Sequence, residues 1–171
     1  MKLVNLLFSA VIFVVSSAYA PEFLPFPGTI DAGNLTDEET IQLQRAINEW
    51  TVKSRHYVEL TITHGNAGAD GAVFCNESTS YGIGRMAHTE LRQQEPVIVM
   101  YCDRIASEVE VHGLSYSDSF YVIVLHELGH AMGIEGHRDT VLMAEKGSIT
   151  KILEVGVTKK DVRYMREGRH D

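Results

Sequence analysis

The run His126-Glu127-Leu128-Gly129-His130-Ala131-Met132-Gly133-Ile134-Glu135-Gly136-His137 constrains this chain more than any other segment. Residues four apart share one face of an α-helix, so His126 and His130 can aim ring nitrogens at a single point. Glu127 lies about 100° further round such a helix, beside that point. Gly133 stands where the helix has to stop, because glycine accepts the left-handed conformation that turns the chain back and carries His137 toward the first two rings. The segment therefore predicts a helix, a sharp turn, and three imidazoles converging next to one carboxylate.

The chain supplies the helix. Phe120-Tyr121-Val122-Ile123-Val124-Leu125 is apolar without Gly or Pro, and Ser115, Ser117 and Asp118 precede it as candidate caps and first-turn anions. A helix of this composition is expected to be buried nearly all round. Three neutral histidines suit one zinc ion and leave it an open position for water, whose pKa the metal can lower to about 7. His126, His130 and His137 are the expected metal ligands and Glu127 the expected general base, with Asp139 as the alternative third ligand. The competing readings are histidines satisfied as structural residues, and a site that binds metal without cleaving.

At these residues the chain resembles the metzincin clan of zinc endopeptidases, and its matrixin-like members most. The clan signature His-Glu-x-x-His-x-x-Gly-x-x-His is matched at His126, Glu127, His130 and Gly133. One residue is inserted: Gly136 takes the usual third-ligand place and His137 follows it. The resemblance implies peptide-bond hydrolysis without a covalent intermediate, and a methionine packed beneath the metal, for which Met143 is the candidate. It implies that an aspartate on a terminal helix supports the methionine turn, with Asp161 in that place, a solvated helix charge being the other reading of this residue. It also implies that a sheet edge pairs with substrate, for which Pro96–Cys102, an apolar strand just before the site helix, is the candidate, a central buried strand being the other reading of that run.

The implied fold is α+β: a mixed twisted sheet, two long helices (an N-terminal one and the site helix), and a small C-terminal subdomain ending in a helix. The residues support this independently. With 171 residues, 44% of them hydrophobic, the chain has the bulk for one core. Thr36-Asp37-Glu38-Glu39 is a capping box, and Leu43, Ala46, Ile47 and Trp50 follow on one helical face, predicting a helix to about Lys53. Val58, Leu60 and Ile62 alternate with polar residues as in a half-buried strand. Pro21 to Asn34 holds three of the four prolines and reads as an irregular lead-in. Thr158 caps a predicted short helix through Arg166. Val141 to Val157 is expected to wall a substrate pocket, with Ile149, Ile152, Leu153 and Val155 as its apolar members.

Residues 1–20 read as a secretory signal peptide, cleaved after Ala18 or Ala20, with residues 21–171 forming the catalytic domain. Secretion, extracellular or periplasmic, is the expected localisation, with no stable membrane association after cleavage. In that setting Cys75 and Cys102 can form one disulfide. The net charge of −8 argues against nucleic-acid binding, and a monomer acting on protein or peptide substrates is expected. Two other functions fit the same residues: an exported zinc-binding interaction domain without proteolytic activity, and a different class of zinc hydrolase in which Glu154 completes the site. The glycine-rich loop His64–Gly71, together with His88, is assigned no second metal. Asn34 and Asn76 head glycosylation sequons that matter only in a eukaryotic source.

Overall fold

Helix α1 (Asp37–Lys53) forms where its signals lie. Thr36 Oγ1 accepts from the Glu39 amide at 3.3 Å, and Glu39 Oε2 accepts from the Thr36 amide at 2.8 Å, closing the capping box. Leu43, Ala46, Ile47 and Trp50 are buried along one face, as the 3.6-residue period requires. The computed structural model in which these features are seen describes residues 23–76, 85–145 and 147–169; the expected signal segment lies outside them. No helix among the described residues is long and apolar enough to cross a membrane.

Among the described residues the architecture is α+β, with a five-stranded mixed sheet and five helices. The strands are β1 (Gly28–Asp31), β2 (Leu60–Thr63), β3 (Gly71–Cys75), β4 (Ala87–Arg92) and β5 (Glu95–Met100), in the spatial order β2-β1-β3-β5-β4. All neighbouring pairs are parallel except β4 and β5, where Thr89 faces Ile98 in an antiparallel register. Along β3 and β5 the side chains alternate between faces. Val73, Ile98 and Met100 enter the main core, while Ala72, Phe74, Val97 and Val99 pack with Tyr101 on the other side.

Three expectations need correction. The lead-in is not wholly irregular, because β1 lies within it, between β2 and β3. Only Thr29 and Ile30 carry strand propensity there; pairing on both edges makes the strand. Second, Pro96–Cys102 does not lead directly into the site helix, since α2 (Cys102–His112) intervenes. That helix starts at Tyr101 without a side-chain cap, so no cap residue announces it. Third, β5 is not the sheet edge. It is buried along most of its length between β3 and β4, and among the described residues the polar strand β4 is the edge on that side, with β2 at the other.

Helix α3 (Tyr116–Ala131) carries the histidine segment. Ser115 Oγ accepts from the Asp118 amide at 3.3 Å and sets its first turn. The helix packs between α1 and the sheet, with Phe120, Tyr121, Val122, Val124, Leu125 and Leu128 buried. Beyond it come α4 (Ile149–Val155) and α5 (Lys159–Gly168), the latter capped by Thr158 as expected. Cys75, at the end of β3, is disulfide-bonded to Cys102 at the start of α2. A loop of this length is expected to stabilise the fold by about 3–4 kcal/mol.

Candidate metal centre and cleft

The last turns of α3 place His126 and His130 on one face with ring centroids 4.8 Å apart. Each ring is turned by a backbone carbonyl. His126 Nδ1 lies 2.6 Å from Leu142 O, and His130 Nδ1 lies 2.8 Å from Ile134 O. A carbonyl only accepts, so both Nδ1 atoms carry the proton, and in neutral rings both Nε2 atoms present lone pairs. Those two Nε2 atoms face each other at 3.1 Å. Two lone pairs at that distance repel unless a proton or a cation lies between them. Burial is the main influence on His126 and pushes it below the usual imidazole pKa; the charges His130 and His137 would carry act the same way, against smaller upward effects from Glu127 and the Leu142 carbonyl. Protonation is therefore the costly way to relieve the contact.

His137 completes the group. Its ring centroid is 5.5 Å from that of His126 and 5.6 Å from that of His130, and one ligand atom from each of the three lies within 4.8 Å of the others. Tetrahedral zinc with nitrogen bonds of 2.0–2.1 Å sets its nitrogens about 3.3 Å apart, close to the separation of the two Nε2 atoms. The donor set thus fits a zinc ion after a modest inward movement of the exposed His137. The inserted glycine has a function in this turn. Gly133 and Gly136 have φ of 113° and 57°, and these two positive values let the chain reverse and deliver His137 one residue later than the signature spacing.

Below the rings, Met143 is fully buried, and its sulfur would lie 2.8 Å from a Cβ placed on Gly129. Gly129, next to His130, is small because the methionine packs there. The methionine turn is held by a chain of hydrogen bonds: Met143 N donates to Thr140 Oγ1 at 3.1 Å, and Thr140 Oγ1 donates to Asp161. Asp161 is completely buried and also accepts from Thr158 N (2.8 Å) and Thr158 Oγ1 (2.6 Å). It is therefore not a solvated helix charge. Because Leu142 O in this turn also receives the His126 ring, the support beneath the methionine and the orientation of a candidate ligand are one structure.

Two outcomes are expected. Met143→Leu should cost less than about 1.5 kcal/mol, as volume-conserving core exchanges do, with metal content measured by atomic absorption unchanged; loss of metal would refute the packing role. Asp161→Ala leaves buried donors without an acceptor and removes a capping partner, and should lower stability in urea unfolding by about 2–3 kcal/mol. An unchanged midpoint would show that Thr140 and Thr158 find other partners.

Glu127 is buried, with 8% exposure, and borders two recesses. One, of about 440 Å³, runs along β4 past His88, Leu91 and Pro96 to Phe23, Ile134 and Glu135. The other, of about 560 Å³, lies between Val122, Ile123, Ala144, Glu145, Ile149 and Ile152. Ile149 and Ile152 thus stand where the sequence places them, but Leu153 and Val155 do not. These two are 36% and 43% exposed, since a short helix turns only part of its surface inward.

The remaining candidates lie apart from the centre. Asp139 is exposed and engaged by Lys160 and Tyr164 at 2.6 Å each, hydrogen bonds that bring its pKa down to about 2. Glu154 is exposed on α4 and is not grouped with the histidines. His88 Nδ1 lies 3.3 Å from Tyr101 Oη and its Nε2 3.4 Å from Glu90. His56 is exposed, as is His112, which lies 3.5 Å from Glu108; His170 lies outside the described residues. Asn34 clasps the Cys75 backbone, donating to its carbonyl at 3.0 Å and accepting from its amide at 2.9 Å. Thr89 and Leu142 carry no signal in the sequence: Thr89 reaches Glu127 from a strand 38 residues earlier, and Leu142 acts through its backbone carbonyl, which no side-chain pattern marks. Compared with protein-family models and with curated proteins, the chain finds no match.

Proposed function

We propose that this chain is a secreted zinc-dependent endopeptidase of metzincin type, matrixin-like in its site. The observation that carries this reading is the pair of Nε2 atoms at 3.1 Å, both Nδ1 atoms being committed to carbonyls, with His137 and the Glu127 carboxylate beside them. His126, His130 and His137 would hold the ion. Bound there, zinc supplies a Lewis acid for the scissile carbonyl and acidifies water. Glu127 takes the proton of the attacking water and delivers it to the leaving amine, so that hydrolysis needs no covalent intermediate. Among the described residues β4 is the last strand on its side of the sheet and borders the same recess as Glu127, where an extended peptide would add as a further strand. Secretion rests on the apolar leader at residues 1–20, followed by small residues.

The test is incubation of the zinc-loaded secreted protein with a mixed peptide library, products being read by mass spectrometry. Internal cleavages absent from Glu127→Ala are expected. A protein that holds one zinc and cleaves nothing would instead be a metal-binding interaction domain.

A further inference from the structure

Beyond its two neighbouring histidines, Glu127 has a partner from the sheet. Thr89, on the edge strand β4, donates its hydroxyl to Glu127 Oε2 at 2.8 Å and lies 3.1 Å from the Glu127 carbonyl oxygen. One hydroxyl proton serves one bond best, and the carboxylate is both the nearer and the charged acceptor, which makes that bond the stronger. Thr89 is half-buried and lines the recess along β4 that Glu127 also lines. We propose that Thr89 is a positioning residue for the general base: its hydroxyl fixes Oε2, leaving Oε1 as the oxygen that accepts the proton.

The inference rests on the endopeptidase reading for its kinetic consequence, but not for the bond itself. A glutamate side chain has several rotatable bonds, and α3 fixes only its backbone. A donor on an opposing element selects one carboxylate orientation out of these. The donor comes from β4, the strand that on the endopeptidase reading would receive the peptide. Register between β4 and α3 therefore sets the distance between peptide backbone and base in a single step. No other side chain from the sheet is hydrogen-bonded to Glu127 among the described residues.

The experiment compares the full secreted chain, zinc-loaded, with Thr89→Val, Thr89→Ser and Glu127→Ala. Steady-state kinetics are measured on a peptide that the native chain cleaves, and the carboxyl-carbon resonance of Glu127 is followed in glutamate-labelled protein, assigned by its loss in Glu127→Ala. Thr89→Val keeps the shape of the side chain and removes the donor. It should keep one zinc and lower kcat by about 10- to 100-fold, the scale of a misplaced catalytic group. KM should stay within about twofold, since ground-state binding is not what the hydroxyl serves. The Glu127 resonance should move, and Thr89→Ser should restore both resonance and rate. A native rate or an unmoved resonance in Thr89→Val would overturn the proposal, as would a Thr89→Ser protein impaired as deeply as the valine variant. A native chain that cleaves no peptide, while its Glu127 resonance still moves in Thr89→Val and returns in Thr89→Ser, would sink the endopeptidase reading and uphold the orienting bond.

Discussion

Glu127→Ala should retain one zinc per chain and lose peptide hydrolysis by at least about 100-fold, the lower bound for removal of a general base. The two halves of this result have separate causes. The histidine rings are oriented by Leu142 O and Ile134 O, and neither bond involves the Glu127 side chain. Metal content should therefore be indifferent to the substitution. Proton transfer, by contrast, depends on the carboxylate adjacent to His126 in the chain, since Glu90 of the same recess is engaged by Arg92 at 2.5 Å. Truncation also removes the acceptor of the Thr89 hydroxyl, so a modest change in thermal midpoint is expected as well. Metal analysis and progress curves on one protein sample decide the matter. Unimpaired cleavage by this variant would remove Glu127 from the mechanism.

His137→Ala should lose the metal itself. With His126 and His130 alone, a zinc ion keeps two protein donors, and affinity should fall more than the 10- to 100-fold typical of losing a supporting group outside the ligands. After dialysis against a dilute chelator the native chain is expected to retain zinc and the variant to have lost most of it. Metal-dependent stabilisation should disappear in parallel, because a ligand that binds only the folded state raises the melting temperature. Asp139→Asn is the control. Its carboxylate is exposed and held by Lys160 and Tyr164, so zinc should stay. Retention of zinc in His137→Ala together with its loss in Asp139→Asn would reverse the assignment of the third ligand.

The parts of the fold legible in the sequence are those governed by short-range chemistry. Thr36 and Glu39 close their capping box, Ser115 starts α3, and Thr158 starts α5, because each needs only a partner three residues away. The approach of His137 to the other two rings follows from a helix period and two glycines. What the sequence left hidden depends on pairing across the sheet. Strand β1 has too few strand formers to be seen without β2 and β3 on either side. The run Pro96–Cys102 reads as an edge or as a central strand; its continuous apolar character fits the second, and β4 bears the charged and polar residues suited to an edge. Thr89 was invisible for the same reason: its meaning depends on which strand stands opposite Glu127.

Helix α1 supplies none of the candidate ligands, yet it holds the helix that carries two of them. The Trp50 indole donates to Leu125 O at 3.0 Å, one residue before His126, and Tyr121 and Tyr116 on α3 donate to Glu49 and Glu39 on α1. Ser117 adds a bond to Glu38 and Arg45 an ion pair with Asp118. Pinned along its length, α3 can neither rotate nor slide without breaking several of these at once. His126 and His130 are thus held in place from behind, while His137 stands on an exposed turn tied back through Arg138 N and Met143 O. An ion there would meet two donors whose positions α1 sets, so loosening a bond between α1 and α3 should weaken the site without touching a ligand.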